Sequence, residues 1–135
     1  MIYAVLDTNV LVSAILSRNP DSPTKRCLRA AVGGLIRPLY NDKIITEYRE
    51  VLSRDKFDFG MDRVNAILRQ IVVNGSDITP MASDEDFPDP TDRVFFEVAL
   101  AKSEEGAKVV TGNARHYPTS PIVVTPAEFC AIVGI

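Results

Sequence analysis

An open α/β fold, a central and mainly parallel sheet with helices on both faces, is predicted by three features of this 135-residue chain. Short apolar runs of strand length alternate with segments of helical apolar spacing over most of the sequence. The runs are continuously apolar rather than alternating, as strands buried on both faces are. Polar residues, Asp7 and Asn113 among them, close the runs, where sheets of this kind bind their ligands.

The first run, residues 1–6, ends abruptly at Asp7 and reads as a buried parallel strand. Thr8 or Asn9 can cap the next helix, whose apolar residues Val10, Leu11, Ala14 and Ile15 recur at helical spacing. Ser22 and Pro23 read as N-cap and first residue of a second helix, with Cys27, Leu28, Ala31 and Val32 as its stripe and Gly33 and Gly34 as its stop. Residues 35–40 read as a second strand. Asn41 then caps a helix that buries Ile44, Ile45, Tyr48, Val51 and Leu52, with Glu47 between these positions. Asp62 starts another helix on Val64, Ile67, Leu68 and Ile71, ending near Asn74 and Gly75, and residues 78–79 read as a brief edge strand. Asp89, Pro90 and Asp92 have the N-cap, N1 and N3 spacing of a capping box ahead of the run 94–101. Residues 108–111 form another buried strand, ended by Gly112 and Asn113. A last strand, 122–124, leads through Thr125 and Pro126 into a closing helix that includes Phe129 and Ile132. No repeat, linker or low-complexity tract interrupts this order, so residues 1–135 are expected to form a single domain.

The composition, 46% hydrophobic, suits one compact core. Two cysteines, Cys27 and Cys130, lie singly in apolar stretches and read as buried free thiols. A net charge of -3 argues against a protein that coats nucleic acid through a basic surface, so any nucleic-acid contact must be local. No stretch is long and apolar enough to cross a bilayer or to serve as a secretory signal, and a soluble, cytoplasmic protein is expected. Asp84, Glu85, Asp86, Asp89 and Asp92 crowd one segment, which is either a solvated acidic loop or part of a cation site.

If the first and fourth strands are neighbours, Asp7 and Asn113 project over the same sheet edge. Asp92 begins the helix just before that fourth strand. Mg²⁺ and similar hard cations take one or two carboxylates together with water and phosphate oxygens, which Asp7 and Asp92 can supply. Glu47 is a third acid, able to hold a water or take its proton. This is the chemistry of phosphodiester hydrolysis. No serine or cysteine has a histidine close enough in sequence to suggest a covalent nucleophile.

At these residues the chain resembles the PIN-domain nucleases. The matching pieces are Val5-Leu6-Asp7-Thr8-Asn9-Val10-Leu11, Glu47-Tyr48-Arg49-Glu50-Val51-Leu52, Asp89-Pro90-Thr91-Asp92-Arg93 and Val110-Thr111-Gly112-Asn113, in that order. The likeness is closest to small prokaryotic single-domain members, many of which are toxins of toxin-antitoxin pairs. It implies a three-layer α/β/α fold and an endoribonuclease dependent on Mg²⁺ or Mn²⁺. It further implies an RNA substrate, a cognate antitoxin protein and a homodimer. Asp7 and Asp92 fall on the metal-ligand positions and Glu47 on that of the third acid. The fourth acidic position holds Asn113, whose amide oxygen can coordinate a hard cation or orient its water but brings no charge. That departure keeps a second reading open, a catalytically weakened domain that binds RNA or a partner. Phosphatases of the haloacid-dehalogenase type also start with a strand-tip aspartate, but they need a second Asp where this chain has Asn9. A receiver-type domain needs an acidic pair on the first loop, which is also missing.

Plainer roles stand beside these. Asp7 can simply cap the first helix, and Asp92 at N3 can serve the helix dipole. Asp89 is better explained as an N-cap than as a ligand. Glu47 can pair with Lys43 at helical spacing. His116, after Arg115, can contact phosphate or bring Tyr117 to stack on a base, or be an ordinary loop residue. Arg18, Lys25, Arg26 and Arg29 form either a local basic track for RNA or a solvated helix face.

Overall fold

The structure, a computed structural model, describes residues 1–135. Five parallel strands, β1 (Tyr3–Leu6), β2 (Arg37–Tyr40), β3 (Ser76–Asp77), β4 (Lys108–Val110) and β5 (Val123–Val124), form one sheet in the order β3-β2-β1-β4-β5. Six helices cover it: α1 (Thr8–Leu16), α2 (Pro23–Val32), α3 (Asp42–Leu52), α4 (Met61–Asn74), α5 (Arg93–Ala101) and α6 (Pro126–Val133). This is the expected α/β class.

The strand order explains the layers. From β1 to β2 to β3 the chain steps one way across the sheet, and from β3 through α5 to β4 it crosses back past β1. Right-handed crossovers then put α1, α2 and α4 on one face and α5 on the other. The packing agrees, because α2 lies against α1, α4 and α6, whereas α5 lies across β1, β2 and β4. Helix α3 touches α1, α4 and α5, so it sits where it can reach residues of both layers. The reversal makes the gap between β1 and β4 the topological switch point, where ligands bind in open sheets. Val5, Leu6, Val109 and Val110 from these two strands are almost fully buried, as their unbroken apolar runs require.

Several elements differ from the sequence expectation. The N-cap of α1 is neither Thr8 nor Asn9 but Asp7, the plainer role also read for that residue, with its side chain accepting from the Asn9 N–H at 3.2 Å. Gly60 occupies the N-cap of α4, and Asp62 lies in its first turn. The edge strand is Ser76–Asp77 rather than 78–79, because ladder pairing to Leu39 and Tyr40 starts as soon as α4 ends. Gly75 permits that abrupt exit: a Cβ there would sit 2.2 Å from the Pro38 carbonyl oxygen. Asp89 caps a single 3-10 turn, Pro90–Asp92, and α5 begins only at Arg93, so the expected capping box is absent. A capping box does form between Thr125 and Glu128 at the start of α6. Ile132, on that helix, is exposed.

Cys27 and Cys130 are free and buried, with their sulfurs 3.8 Å apart between α2 and α6. Burial, and next the neighbouring Cys130, push the Cys27 thiol up to about 12, so it stays protonated. No helix is long and apolar enough to cross a membrane.

Candidate active site

Asp7 follows the last residue of β1, and the register places Leu6 opposite Val110 of β4. Its backbone N–H donates to the Val110 carbonyl at 2.9 Å, which fixes the residue at the switch point. The side chain is only 4% exposed, and each carboxylate oxygen is held differently. Oδ1 accepts from the Asn9 N–H as the helix cap. Oδ2 accepts from Thr111 Oγ1 at 2.9 Å and from the Tyr117 hydroxyl at 3.0 Å. A carboxylate out of water needs such donors, and charge-assisted bonds of this kind are the stronger ones. Helix cap and site aspartate are thus one arrangement.

Helix α3 brings in Glu47. The buried Tyr48 beside it donates its hydroxyl to the Leu6 carbonyl, anchoring α3 at the end of β1. Glu47 Oε2 accepts from the hydroxyl of Thr8, next to Asp7. Burial holds the Glu47 carboxyl above its usual range; the Thr8 bond opposes the shift, and the charges of Asp7, Asp89 and Glu50 add to it. Lys43 does not pair with Glu47: the only ion pairs are Arg93–Glu97 and Lys102–Glu105.

Asp92 enters from the 3-10 turn before α5. Its carboxyl is pushed up to about 7 by burial, then by Asp7, Asp89 and Glu47 in that order. Asp7, Glu47 and Asp92, far apart in sequence, therefore come near enough for their charges to act on one another, with no Lys or Arg paired to them. Asp89 stands at the rim, where the Thr91 N–H (3.0 Å) and hydroxyl (2.8 Å) hold its carboxyl below the usual range, helped weakly by His116. Asn113 is linked through its backbone, whose N–H donates to Thr111 Oγ1 at 3.0 Å. Its half-buried side chain makes no hydrogen bond.

The other acids of the crowded segment do not join. Asp84, Glu85 and Asp86 are exposed, on a loop held by Arg93. That guanidinium donates to the carbonyls of Ser83 (2.9 Å) and Glu85 (2.5 Å) and lies over the Phe87 ring, 4.9 Å from its centre. Phe87 packs edge-on against Tyr117, which connects the loop to the Asp7 cradle.

Tyr117 is 6% exposed and engaged by Asp7, so it does not stack on a base. The bonds of Thr8 to Glu47 and of Thr111 and Tyr117 to Asp7 are what the sequence reading misses, since it takes Thr8 for a helix cap and Tyr117 for a base-stacking ring. Thr111 is visible there only as the end of the β4 run, because its bond to Asp7 depends on β4 pairing with β1. The basic track is partly taken up by the fold: Arg26 donates to the carbonyls of Asp21 and Ile135, and Arg29 to that of Pro20.

The oxygen-only donors, their mutual charge and the absence of a pairing Lys or Arg fit a hard divalent cation. No three His, Cys, Asp or Glu side chains gather closely enough to enclose one. The site therefore suits a Mg²⁺-type ion with one or two protein carboxylates and otherwise water or phosphate oxygens, not a cage of protein ligands.

Neither a curated protein nor a solved structure matches the chain. A family model described as PIN domain matches residues 3–115, from the first residue of β1 to just past Asn113, and takes in every acid of the cluster. The chain belongs to the PIN-domain family, a family of nuclease type.

Proposed function

We propose that the protein is an endoribonuclease dependent on Mg²⁺ or Mn²⁺ that hydrolyses phosphodiester bonds of single-stranded RNA. The observation that carries this reading is Asp7 held at the switch point by Thr111 and Tyr117, with Glu47 bonded to the adjacent Thr8, Asp92 within range of both charges and no basic side chain paired to any of the three. Asp7 and Asp92 would hold the cation. When bound, it supplies positive charge to the phosphate oxygens as charge builds up in the transition state. Thr111 and Tyr117 fix Asp7 by its Oδ2 and keep its position independent of substrate. Glu47, oriented by Thr8 and raised by burial, is suited to take the proton of the attacking water. Asn113 would orient substrate or water through its free amide.

Purified protein should cleave unstructured RNA with Mg²⁺ or Mn²⁺ and not in chelator. Intact RNA at high protein concentration with either metal would defeat the proposal. A second reading, a binding domain of weakened catalysis, draws on the neutral Asn113 and the loose gathering of acids. The metal-dependent cleavage assay separates the two, while calorimetry of Asn113→Asp tests Asn113 itself, since an added carboxylate should tighten Mn²⁺ binding if that residue faces the metal. The finer expectations, a toxin with a cognate antitoxin and a cytoplasmic homodimer, rest on the resemblance to small prokaryotic members. A small DNA-binding protein encoded in the adjacent reading frame would support the toxin role.

A further inference from the structure

Next to Glu47 a groove of about 650 Å³ runs between the first turn of α3, the segment after β3, and the turn that leads into α5. Its volume lies in the range of pockets that enclose small organic ligands. Four carboxylates line it, Asp42, Glu47, Asp77 and Glu97, against two cations, Lys43 and Arg93. Glu97 and Arg93 are paired with each other, and Arg93 is further engaged by the acidic loop. What remains free is Lys43 against Asp42, Asp77 and the site acid Glu47. A phosphate would be repelled by that balance. A neutral group bearing N–H donors would be welcomed by it, because Asp42, Asp77 and Thr79 offer acceptors that no donor of the protein uses. Ile78, Pro80, Pro90 and Val94 supply apolar walls for a flat ring.

We propose that this groove is a subsite for one unpaired nucleobase carrying an exocyclic amine, belonging to a nucleotide that flanks the scissile phosphate. The proposal rests on the nuclease reading for its polymer, since Glu47 is shared between groove and site. Adenine, cytosine and guanine place an amine on their pairing edge, guanine with a ring N–H beside it, where uracil flanks its single N–H with two carbonyls that the carboxylates would repel. A base inside a duplex has that edge occupied by its partner, so only single strands can use the groove.

Binding tests this without cleavage. Fluorescein-labelled RNA octamers are titrated against the protein in Ca²⁺, with an abasic residue placed at each position in turn and then each of the bases at the sensitive one. One position should lose about tenfold in affinity when its base is removed, a size typical of a single bound base. At that position adenine, cytosine or guanine should bind more tightly than uracil. Thr79 is exposed, so Thr79→Trp should fold, with a melt as the check, while filling the groove and erasing the preference. Octamers that do not bind, an abasic scan without a sensitive position, a preference for uracil, or a folded Thr79→Trp that keeps the preference would each overturn the subsite. A base preference without metal-dependent cleavage would sink the nuclease reading and leave the subsite standing.

Discussion

The protein holds two groups of acids built on opposite principles. Asp84, Glu85 and Asp86 are adjacent in sequence and exposed, and their carboxylates do not join the site. Asp7, Glu47 and Asp92 come from three separate elements, yet each shifts or is felt by the others. In the loop, water screens the crowding and Arg93 fastens the backbone, so the charges cost little. At the strand ends, Asp7 is buried and the other two are half-buried, and their repulsion is kept because the fold imposes it. Charge density along the chain is therefore a poor guide to charge density in space, and only the second kind can draw in a cation.

Substitutions can break this contrast. The largest effect is expected from Asp7→Asn, which should lower RNA cleavage by about a hundredfold or more, in the range lost with a group essential to proton transfer or charge stabilisation. Its melting temperature in chelator should fall, because the two buried charge-assisted bonds from Thr111 and Tyr117 are weakened or lost, although Asn can still cap α1 and one repelling charge is gone. Mn²⁺ should raise the melting temperature of the wild type and have much less effect on the variant. Equal responses, with cleavage retained, would reduce Asp7 to a structural cap.

Tyr117→Phe removes one of the two hydroxyls on Asp7 Oδ2. Loss of a buried bond to a charged group costs about 1.5–3 kcal/mol, to be read from urea unfolding. Thr111→Val should cost a similar amount; a neutral result for both would mean that Asp7 needs no cradle.

The pH dependence sharpens the same contrast. Asp92 titrates near 7 in the folded protein and at its ordinary value of 3.8 once unfolded. Between those values the folded state holds more protons than the unfolded chain, so stability in chelator should fall as pH rises through this window. Glu47, raised as well, adds in the same direction. Melts in chelator should therefore be higher at pH 5 than at pH 8, and Asp92→Asn should reduce the difference. A slope of the opposite sign would show that the cluster is compensated without metal.

Arg93→Gln should loosen the acidic loop, making residues 83–88 more sensitive to protease at a stability cost of about 1 kcal/mol or less, because its salt bridge is partly exposed. Smallest of all, Asp84→Asn and Asp86→Asn should leave cleavage within about twofold, as surface changes outside special features do.

What the sequence made legible was local. The abrupt end of an apolar run at Asp7, the glycine stop at 33–34 and the Asn41 cap are each written in a few neighbouring residues, and the elements they bound are present. The edge strand slipped toward the N-terminus because backbone pairing to β2, not side-chain hydrophobicity, decides where β3 lies. The acids of the site were named from the order of motifs, but the cradle of Asp7 was not, since it depends on β4 lying beside β1. Tyr117 looked like a loop aromatic available to substrate because sequence does not reveal that Phe87 and Asp7 close over it.

The cradle also sets a timetable. In translation, Thr111 and Tyr117 follow their partner Asp7 by 104 and 110 positions. At roughly 5–20 residues per second, β1 waits several seconds or more for the strand that completes its tip. Contacts between residues so distant are also the slow ones to form. Until Thr111 and Tyr117 arrive, the Asp7 carboxylate of a growing chain has only the Asn9 N–H of its own helix cap to hold it.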